Sequence, residues 1–474
     1  MALDQPLKSI HEASMRILAQ TGISIHHAEI LKMAGKLGIK ILGDRAFFQE
    51  DQVMKWVMKA PKVFTIYARN SQNDMVLGGG KTEFAPGYGC PSMIEIDGKK
   101  RAATYHDYCT FLKLVQQSSY FHINGGLVVQ PWDLTPKQFL PLMIYSTMIH
   151  SDKCLMGIPG STLEVLKMMD LAGILFGQDA LLEKPRILTL INSTSPLRFD
   201  QIALETMLVC TQHNQPLIIS PGPMAGATGP VTLAGNLALG NAEALAGIAL
   251  TQMINEGTPV VYGLQPTTLD MQSASVSIGS PGCALGMVYS ARLAKLYGLP
   301  SRCGGANTDA KYVSAQSGFE SMMAMLGSCL ERPDFILHSA GVLDSYGAMS
   351  YEQFIVDLEI MGMVKYFLEG LSLSENDLAV DWIHQVGPGG EFLTSQHTLE
   401  NCRSASWIPE ISLRGVVRED SPPDDLFLEK IRRKKEKMLQ EYKSPELDGE
   451  IKSKLMHYLA NEIEVDRDLL KKVG

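Results

Sequence analysis

Residues 186–223 begin Arg186-Ile-Leu-Thr-Leu-Ile191, then Asn192-Ser-Thr-Ser195, and end Pro216-Leu-Ile-Ile219, then Ser220-Pro-Gly-Pro223. Two short apolar runs are separated by a segment long enough for a helix. Each run is followed by small polar residues. Strands joined by helix-length connections pair in parallel through right-handed crossovers.

The same rhythm extends in both directions from this stretch. Candidate strands cover residues 120–128, 153–158, 186–191, 216–219, 259–264, 301–305 and 334–338. The alternation predicts an α/β fold, a (β/α)₈ TIM barrel with N-terminal and C-terminal extensions. An eighth strand has to come either from the N-terminal region or from residues after 370. The expected organisation is a mixed α/β extension at 1–115, a catalytic barrel at 116–370 and a mostly helical extension at 371–474. Before the barrel, residues 10–18 and 28–37 read as helices, and 63–68 and 93–96 as strands. The second of these strands enters an Asp97-Gly98 turn that signals a hairpin.

Helix starts support this reading. Ser161-Thr-Leu-Glu164 and Ser350-Tyr-Glu-Gln353 have capping-box spacing, in which the two side chains satisfy free backbone N–H groups. In the first of these helices Glu164, Lys167 and Asp170 share one face, leaving Val165, Leu166, Met169 and Leu171 to pack.

Bulk properties limit the function. The 474 residues carry a net charge of −9, which argues against a nucleic-acid partner. Hydrophobic residues make up 45% and charged residues 20%, as expected of a chain with a large core. The longest apolar window, 233–254, contains Asn236, Asn241, Glu243 and Gln252 and reads as a buried helix, not a membrane span. The first residues lack the basic start and apolar run of a secretory signal. The eight cysteines form no C-x-x-C pair and read as buried free thiols. Together these features predict a cytoplasmic protein with no zinc signature. Residues 430–437 are mostly basic and read as a solvated helix face, with a docking patch for an acidic partner as the alternative.

In a parallel barrel the residues just past each strand converge on one mouth. Here those ends are Asn124-Gly-Gly126, Pro159-Gly-Ser161, Asn192-Ser-Thr-Ser195, Ser220-Pro-Gly-Pro223, Gln265-Pro-Thr-Thr268, the run from Gly304 to Asp309, and His338-Ser-Ala-Gly341. They are small and polar, and only Asp309 and His338 titrate as side chains. Those two are the candidate catalytic residues. Asn192, Gln265 and Asn307 are candidate substrate-binding residues. Such a mouth suits positioning more than acid–base or metal chemistry.

Several stretches carry a resemblance. They are Phe84-Ala-Pro-Gly-Tyr-Gly-Cys-Pro91, Gly304-Gly-Ala-Asn-Thr-Asp-Ala-Lys311, His338-Ser-Ala-Gly-Val-Leu-Asp-Ser345, Gln353-Phe-Ile-Val-Asp-Leu-Glu359, and Val386-Gly-Pro-Gly-Gly-Glu-Phe-Leu393 with His397 and Trp407. In this order they resemble the trimethylamine methyltransferase superfamily, specifically its branch lacking pyrrolysine. The resemblance implies a barrel enzyme that moves a methyl group from an amine to cobalt. The acceptor is a corrinoid (cobalamin) carried by a separate small protein. Founding members handle trimethylamine with pyrrolysine, whereas this chain has only standard residues. The resemblance therefore implies quaternary amines: glycine betaine first, then proline betaine, carnitine or γ-butyrobetaine.

The chemistry is consistent. A quaternary nitrogen is already cationic and leaves as a neutral tertiary amine, so neither a general acid nor a metal is required. Aromatic faces bind trimethylammonium groups, each contributing roughly 0.5–2 kcal/mol. Candidates are Tyr88, Tyr346, Tyr351, Phe354 and Phe392. A substrate carboxylate needs donors, for which Asn307, His338, Gln385 and His397 are candidates. A homo-oligomer is expected, with no membrane partner. Two alternatives stay open. One is a zinc-dependent thiol or methanol:corrinoid methyltransferase using Cys303 or Cys329. The other is a non-catalytic betaine-binding partner of a corrinoid protein.

Overall fold

The computed structural model describes residues 5–416, 423–465 and 470, and is mixed α/β. Eight short parallel strands recur along the chain: β1 (Glu83–Phe84), β2 (Ile123–Gly125), β3 (Cys154–Met156), β4 (Ile187–Ile191), β5 (Leu217–Ile219), β6 (Val260–Tyr262), β7 (Arg302–Gly304) and β8 (Phe335–Leu337). β2 to β6 pair in order as one parallel sheet, and β7, β8 and β1 as another. Isolated parallel bridges between Tyr262 and Ser301 and between Phe84 and Phe121 join the two sheets, so the pairing runs round in a closed circuit. The strand left open by the sequence is thus Glu83–Phe84, from the N-terminal region.

A helix follows each strand: α1 (Tyr105–Gln117), α2 (Pro136–His150), α3 (Thr162–Phe176), α4 (Gln201–Gln212), α5 (Leu233–Ile254), α6 (Pro281–Tyr297), α7 (Ala315–Leu330) and α8 (Tyr351–Glu369). Every residue of β4 is buried, as expected for a parallel strand covered on both faces. The expected strand at 120–128 shortens to three residues. Gly125 (φ +97°) and Gly126 (φ +68°) take left-handed conformations that end it.

Inside the circuit, Met156, Leu188, Leu190, Ile218, Val261 and Leu337 form one apolar cluster. The hairpin of Phe64–Ile66 and Met75–Leu77 packs into the same cluster. Its ends bond to residues just before the strands, Tyr67 N–H to Pro185 C=O (2.9 Å) and Gly78 N–H to the Asp334 carboxylate (2.7 Å). The amino ends of the strands are therefore plugged.

α5 is mostly apolar round its circumference because it is covered on all sides, its few polar residues being buried as well. The N-terminal helix Gln5–Gln20 lies against it, with Ser14 Oγ donating to the Ala238 carbonyl (2.9 Å). Burial of Leu7, Ile10, Met15 and Leu18 in that helix stabilises it by roughly 1.5–3 kcal/mol each.

The Ser161–Glu164 box forms, with Ser161 N–H donating to Glu164 at 2.8 Å. At Ser350 only half of it forms, because the Gln353 amide donates instead to Asp357 (2.7 Å). In α3, Leu166 faces outward and Met168 takes its place in the core. The basic run lies on the helix Pro423–Glu441, which packs back on the ring. Lys435 there pairs with Glu352 (2.7 Å) and Lys434 with Glu410, so the run is not simply solvated.

Candidate active site

The carboxyl ends of the strands open on a cavity of about 630 Å³. Leu127, Phe139, Ile158, Leu190 and the ring of Tyr88 give it an apolar wall. The opposite wall is polar and centres on Arg302, which is 1% exposed. Alternation along β7 turns Arg302 and Cys303 to opposite faces of the strand.

Arg302 Nη1 donates to Gln265 Oε1, and to Ser220 Oγ at 3.5 Å. Its Nε has no partner. Among the described residues no carboxylate pairs with this guanidinium. Burying an uncompensated charge costs several kcal/mol in proteins. Gln265 Nε2 in turn donates to the Tyr346 hydroxyl (3.0 Å). That hydroxyl accepts from Gln265 and keeps its own proton to donate.

His338 completes this wall. The Tyr88 backbone N–H donates to His338 Nδ1 at 3.2 Å. Nδ1 therefore carries no proton, and the neutral ring holds its proton on Nε2. Burial pushes the imidazole well below its ordinary pKa, and Arg302 adds to this. The His338 and Tyr346 rings lie 4.6 Å apart, centroid to centroid. Arg302, Tyr346 O–H and His338 Nε2–H thus make a donor-rich wall facing an aromatic and aliphatic one.

The loop carrying these groups is strained. His338, Asp344, Ser345 and Tyr346 all have positive φ, between 53° and 69°. Such conformations cost of order 1–3 kcal/mol each and persist only where the surroundings impose them. The restraints are visible. Asp357 on α8 accepts from Gly341 N–H at 2.7 Å. Asp309 accepts from Ser345 Oγ (2.7 Å), and also from Ser277 Oγ and the Ile278 and Gly279 N–H groups. Asp344 pairs with Lys100 and Lys311.

A sequence profile described as "Trimethylamine methyltransferase (MTTB)" matches residues 2–464. The chain belongs to the trimethylamine methyltransferase family. It is 41% identical to the glycine betaine methyltransferase of Desulfitobacterium hafniense strain Y51, over 96% of each chain. It is 30% identical to the proline betaine:corrinoid methyltransferase of Eubacterium limosum, over 95% of each. A trimethylamine methyltransferase of Desulfitobacterium hafniense strain DSM 10664 / DCB-2 is 30% identical, over 85% of this chain and 82% of that one. The solved monomethylamine methyltransferase of Methanosarcina barkeri shares the fold. It has a TM-score of 0.56 and 10% identity, and the match covers 91% of this chain and 87% of that one.

In this family member, five of the residues singled out from the sequence line the cavity: Tyr88, Asn192, Gln265, His338 and Tyr346. Asn307 lies just behind. A Cβ on Gly304 would meet both its amide (2.6 Å) and that of Gln265 (2.9 Å). Asp309 is outside the cavity and ties its loops together. Tyr351 and Phe354 are also outside. Tyr351 donates to Asp107 (2.8 Å), and Phe354 packs on Phe111 and Phe121. Gln385, Phe392 and His397 sit on a surface segment, where His397 bonds the Asn376 carbonyl at 3.0 Å.

Arg302 and Phe139 line the cavity but escaped the sequence reading. The available signal was a basic residue at the start of an otherwise apolar strand. The thiols of the zinc alternative lie elsewhere. Cys303 Sγ points to the Met287 carbonyl of α6 (3.5 Å), and burial pushes Cys303 and Cys329 up to about 12. A thiol held in that range offers little thiolate for a metal at neutral pH.

Proposed function

We propose that the eight strands form a (β/α)₈ barrel whose open end binds glycine betaine and presents one N-methyl group to the Co(I) corrinoid of a partner protein. The observation that carries this is Arg302: a buried guanidinium without a carboxylate, across the cavity from an aromatic and aliphatic wall. A zwitterion with a carboxylate at one end and a trimethylammonium at the other matches both walls. Trimethylamine, with no anionic end, would leave Arg302 uncompensated. The relatives named for glycine betaine and proline betaine support the same substrate class.

In this reading Arg302, Tyr346 and His338 hold the carboxylate, while Tyr88 and Phe139 contact the cationic methyl groups. Gln265 orients Arg302 and Tyr346 together. No side chain moves a proton, because the leaving amine is neutral when its methyl departs. The reduced corrinoid supplies the nucleophile that takes the methyl carbon. The protein contributes orientation and exclusion of water. With none of the eight cysteines paired, the chain suits a reducing cytoplasm. An anaerobic absorbance assay tests the proposal. Glycine betaine should convert Co(I) to methyl-Co(III) and yield dimethylglycine, while trimethylamine should give no turnover. Saturable betaine binding with no transfer would instead mark a binding partner.

Two further outcomes are expected. Because His338 is held neutral, kcat/KM should show no inflection near the ordinary imidazole value of about 6.5. The sign for stability is opposite to that of a paired histidine. Below about pH 6.5 the unfolded chain takes up a proton that buried His338 refuses, so this residue makes stability fall as pH falls. A His338→Asn variant should lose that acid-side dependence in pH-resolved thermal melts. Gly126→Ala should weaken betaine binding. The new Cβ would meet Tyr88 Cε2 at 2.9 Å, and the position has φ +68°. Strain and overpacking together cost about 1–3 kcal/mol, read by calorimetric titration and melting.

A further inference from the structure

Glu243 is the only charged residue of α5, and it is fully buried. Its carboxylate accepts from three donors of the loop that follows β4. Ser193 Oγ (2.5 Å) and Ser195 Oγ (2.7 Å) donate to Oε2, and Leu197 N–H (2.7 Å) donates to Oε1. Among the described residues no lysine, arginine or histidine pairs with it.

Pinning that loop does not by itself call for a charge. A glutamine side chain has the same length, and its oxygen accepts from the same kinds of donor. What the carboxylate adds is a negative field, and Ser193 sets where that field reaches a ligand. Ser193 lines the cavity. Its proton is committed to Glu243, so its oxygen lone pairs are what remains to face a ligand. Hydrogen bonds in such a chain polarise one another, and the interior screens the charge behind the hydroxyl only weakly.

Position around the ring gives this field its meaning. β4 and β8 lie four strands apart in the circuit of eight, so the loop after β4 faces His338 across the cavity. Arg302 stands on β7, beside β8. The cavity thus has a buried cation in one wall and, one hydroxyl behind the opposite wall, a buried anion. Asp309 also stands one hydroxyl from the cavity, behind Ser345. It lies in the loop after β7, on the Arg302 side, and takes no part in the opposite wall.

We infer that Glu243, acting through Ser193, is a specificity-determining residue that selects a cationic head group over a neutral one of the same shape. A trimethylammonium spreads its charge over its methyl hydrogens, which approach oxygen lone pairs and aromatic faces. Aliphatic side chains such as Leu127, Ile158 and Leu190 accept a tert-butyl group as readily, whereas the field of a carboxylate does not. Burial pushes the Glu243 pKa up and its three donors work against that. A cation at Ser193 favours the charged form further. Because Glu243 acts through another side chain, it is a positioning residue and not a catalytic one. This assignment rests on a betaine being the substrate.

Calorimetric titration of the full-length chain compares glycine betaine with the tert-butylacetate anion, in which carbon replaces the nitrogen and the head is neutral. The wild type should prefer the betaine. Glu243→Gln should cut that preference at least about tenfold, mainly by weakening the betaine. Its thermal midpoint should hold or rise, because a buried charge has been removed. Ser193→Ala leaves Glu243 its other two donors and should lose preference in the same direction. Glu256→Gln, just beyond α5 and exposed, should leave the preference unchanged. A purely structural Glu243 would weaken both ligands together and keep their ratio. A ratio unchanged in either Glu243→Gln or Ser193→Ala, or a wild type that binds the two ligands equally, overturns the inference while betaine binding stands. A wild type that binds neither overturns the substrate reading and this inference with it.

Discussion

Arg302→Met lowers kcat/KM for glycine betaine by a few hundred-fold while the protein stays folded. Removing one partner of a buried, hydrogen-bonded charge pair costs about 2–5 kcal/mol, and each 1.4 kcal/mol is tenfold. The substrate carboxylate would lose its only cationic partner in the cavity wall. Specificity should change with affinity. Glycine betaine should fall towards choline, which has the cationic end but no carboxylate, so the ratio of their binding constants collapses. The free protein should respond differently. Its guanidinium is buried without a counter-charge, and an apolar side chain of similar length relieves that cost. The thermal midpoint should hold or rise while activity falls, the usual signature of a residue kept for function at some expense of stability. A midpoint that drops along with activity would mean Arg302 is a structural residue.

Asp357→Leu should damage the fold and the site together. Asp357 is buried on α8 and accepts from the Gly341 N–H and the Gln353 amide at 2.7 Å each. Leucine leaves both donors unsatisfied. At about 1–3 kcal/mol for each orphaned group, stability should fall by about 3 kcal/mol. Gly341 follows His338 in the strained loop, so its release should also loosen His338 and Tyr346. The conservative Asp357→Asn variant separates packing from charge. Burial holds the carboxyl well above its ordinary pKa. The folded state therefore keeps a proton that the unfolded state releases, and this residue makes stability fall as pH rises above about 4. Asp357→Asn should flatten that alkaline-side loss while keeping most of the activity. Thermal melts from pH 4 to 8 with glycine betaine titrations report both effects.

The fold was largely legible because most of the strands from β2 to β8 are apolar and all are separated by helix-length segments. β1 was not, because two residues, one of them Glu83, carry no strand pattern inside a stretch rich in Pro and Gly. Its role is set by pairing with Phe335 and Ile336, more than 250 residues away. At the site, reading just past each strand found Asn192, Gln265 and His338, and the loop motifs found Tyr88 and Tyr346. The same rule overlooked Arg302, which lies on its strand and not after it. Tyr351 and Phe354 were chosen by residue type. Their places on α8 turn them to α1 and the outer core, which only the packing of the two helices reveals. Gln385, Phe392 and His397 belong to an exposed segment outside the ring of strands and helices, so no periodicity within it could show where they face.

A crystal structure of the protein with bound glycine betaine would show which wall of the cavity holds each end of the ligand. The carboxylate is expected within hydrogen-bond distance of Arg302 and of Tyr346 Oη or His338 Nε2. The trimethylammonium is expected against Tyr88, with one methyl carbon turned to the open end of the cavity. A betaine bound the other way round, or a carboxylate that leaves Arg302 unpaired, would contradict this binding mode.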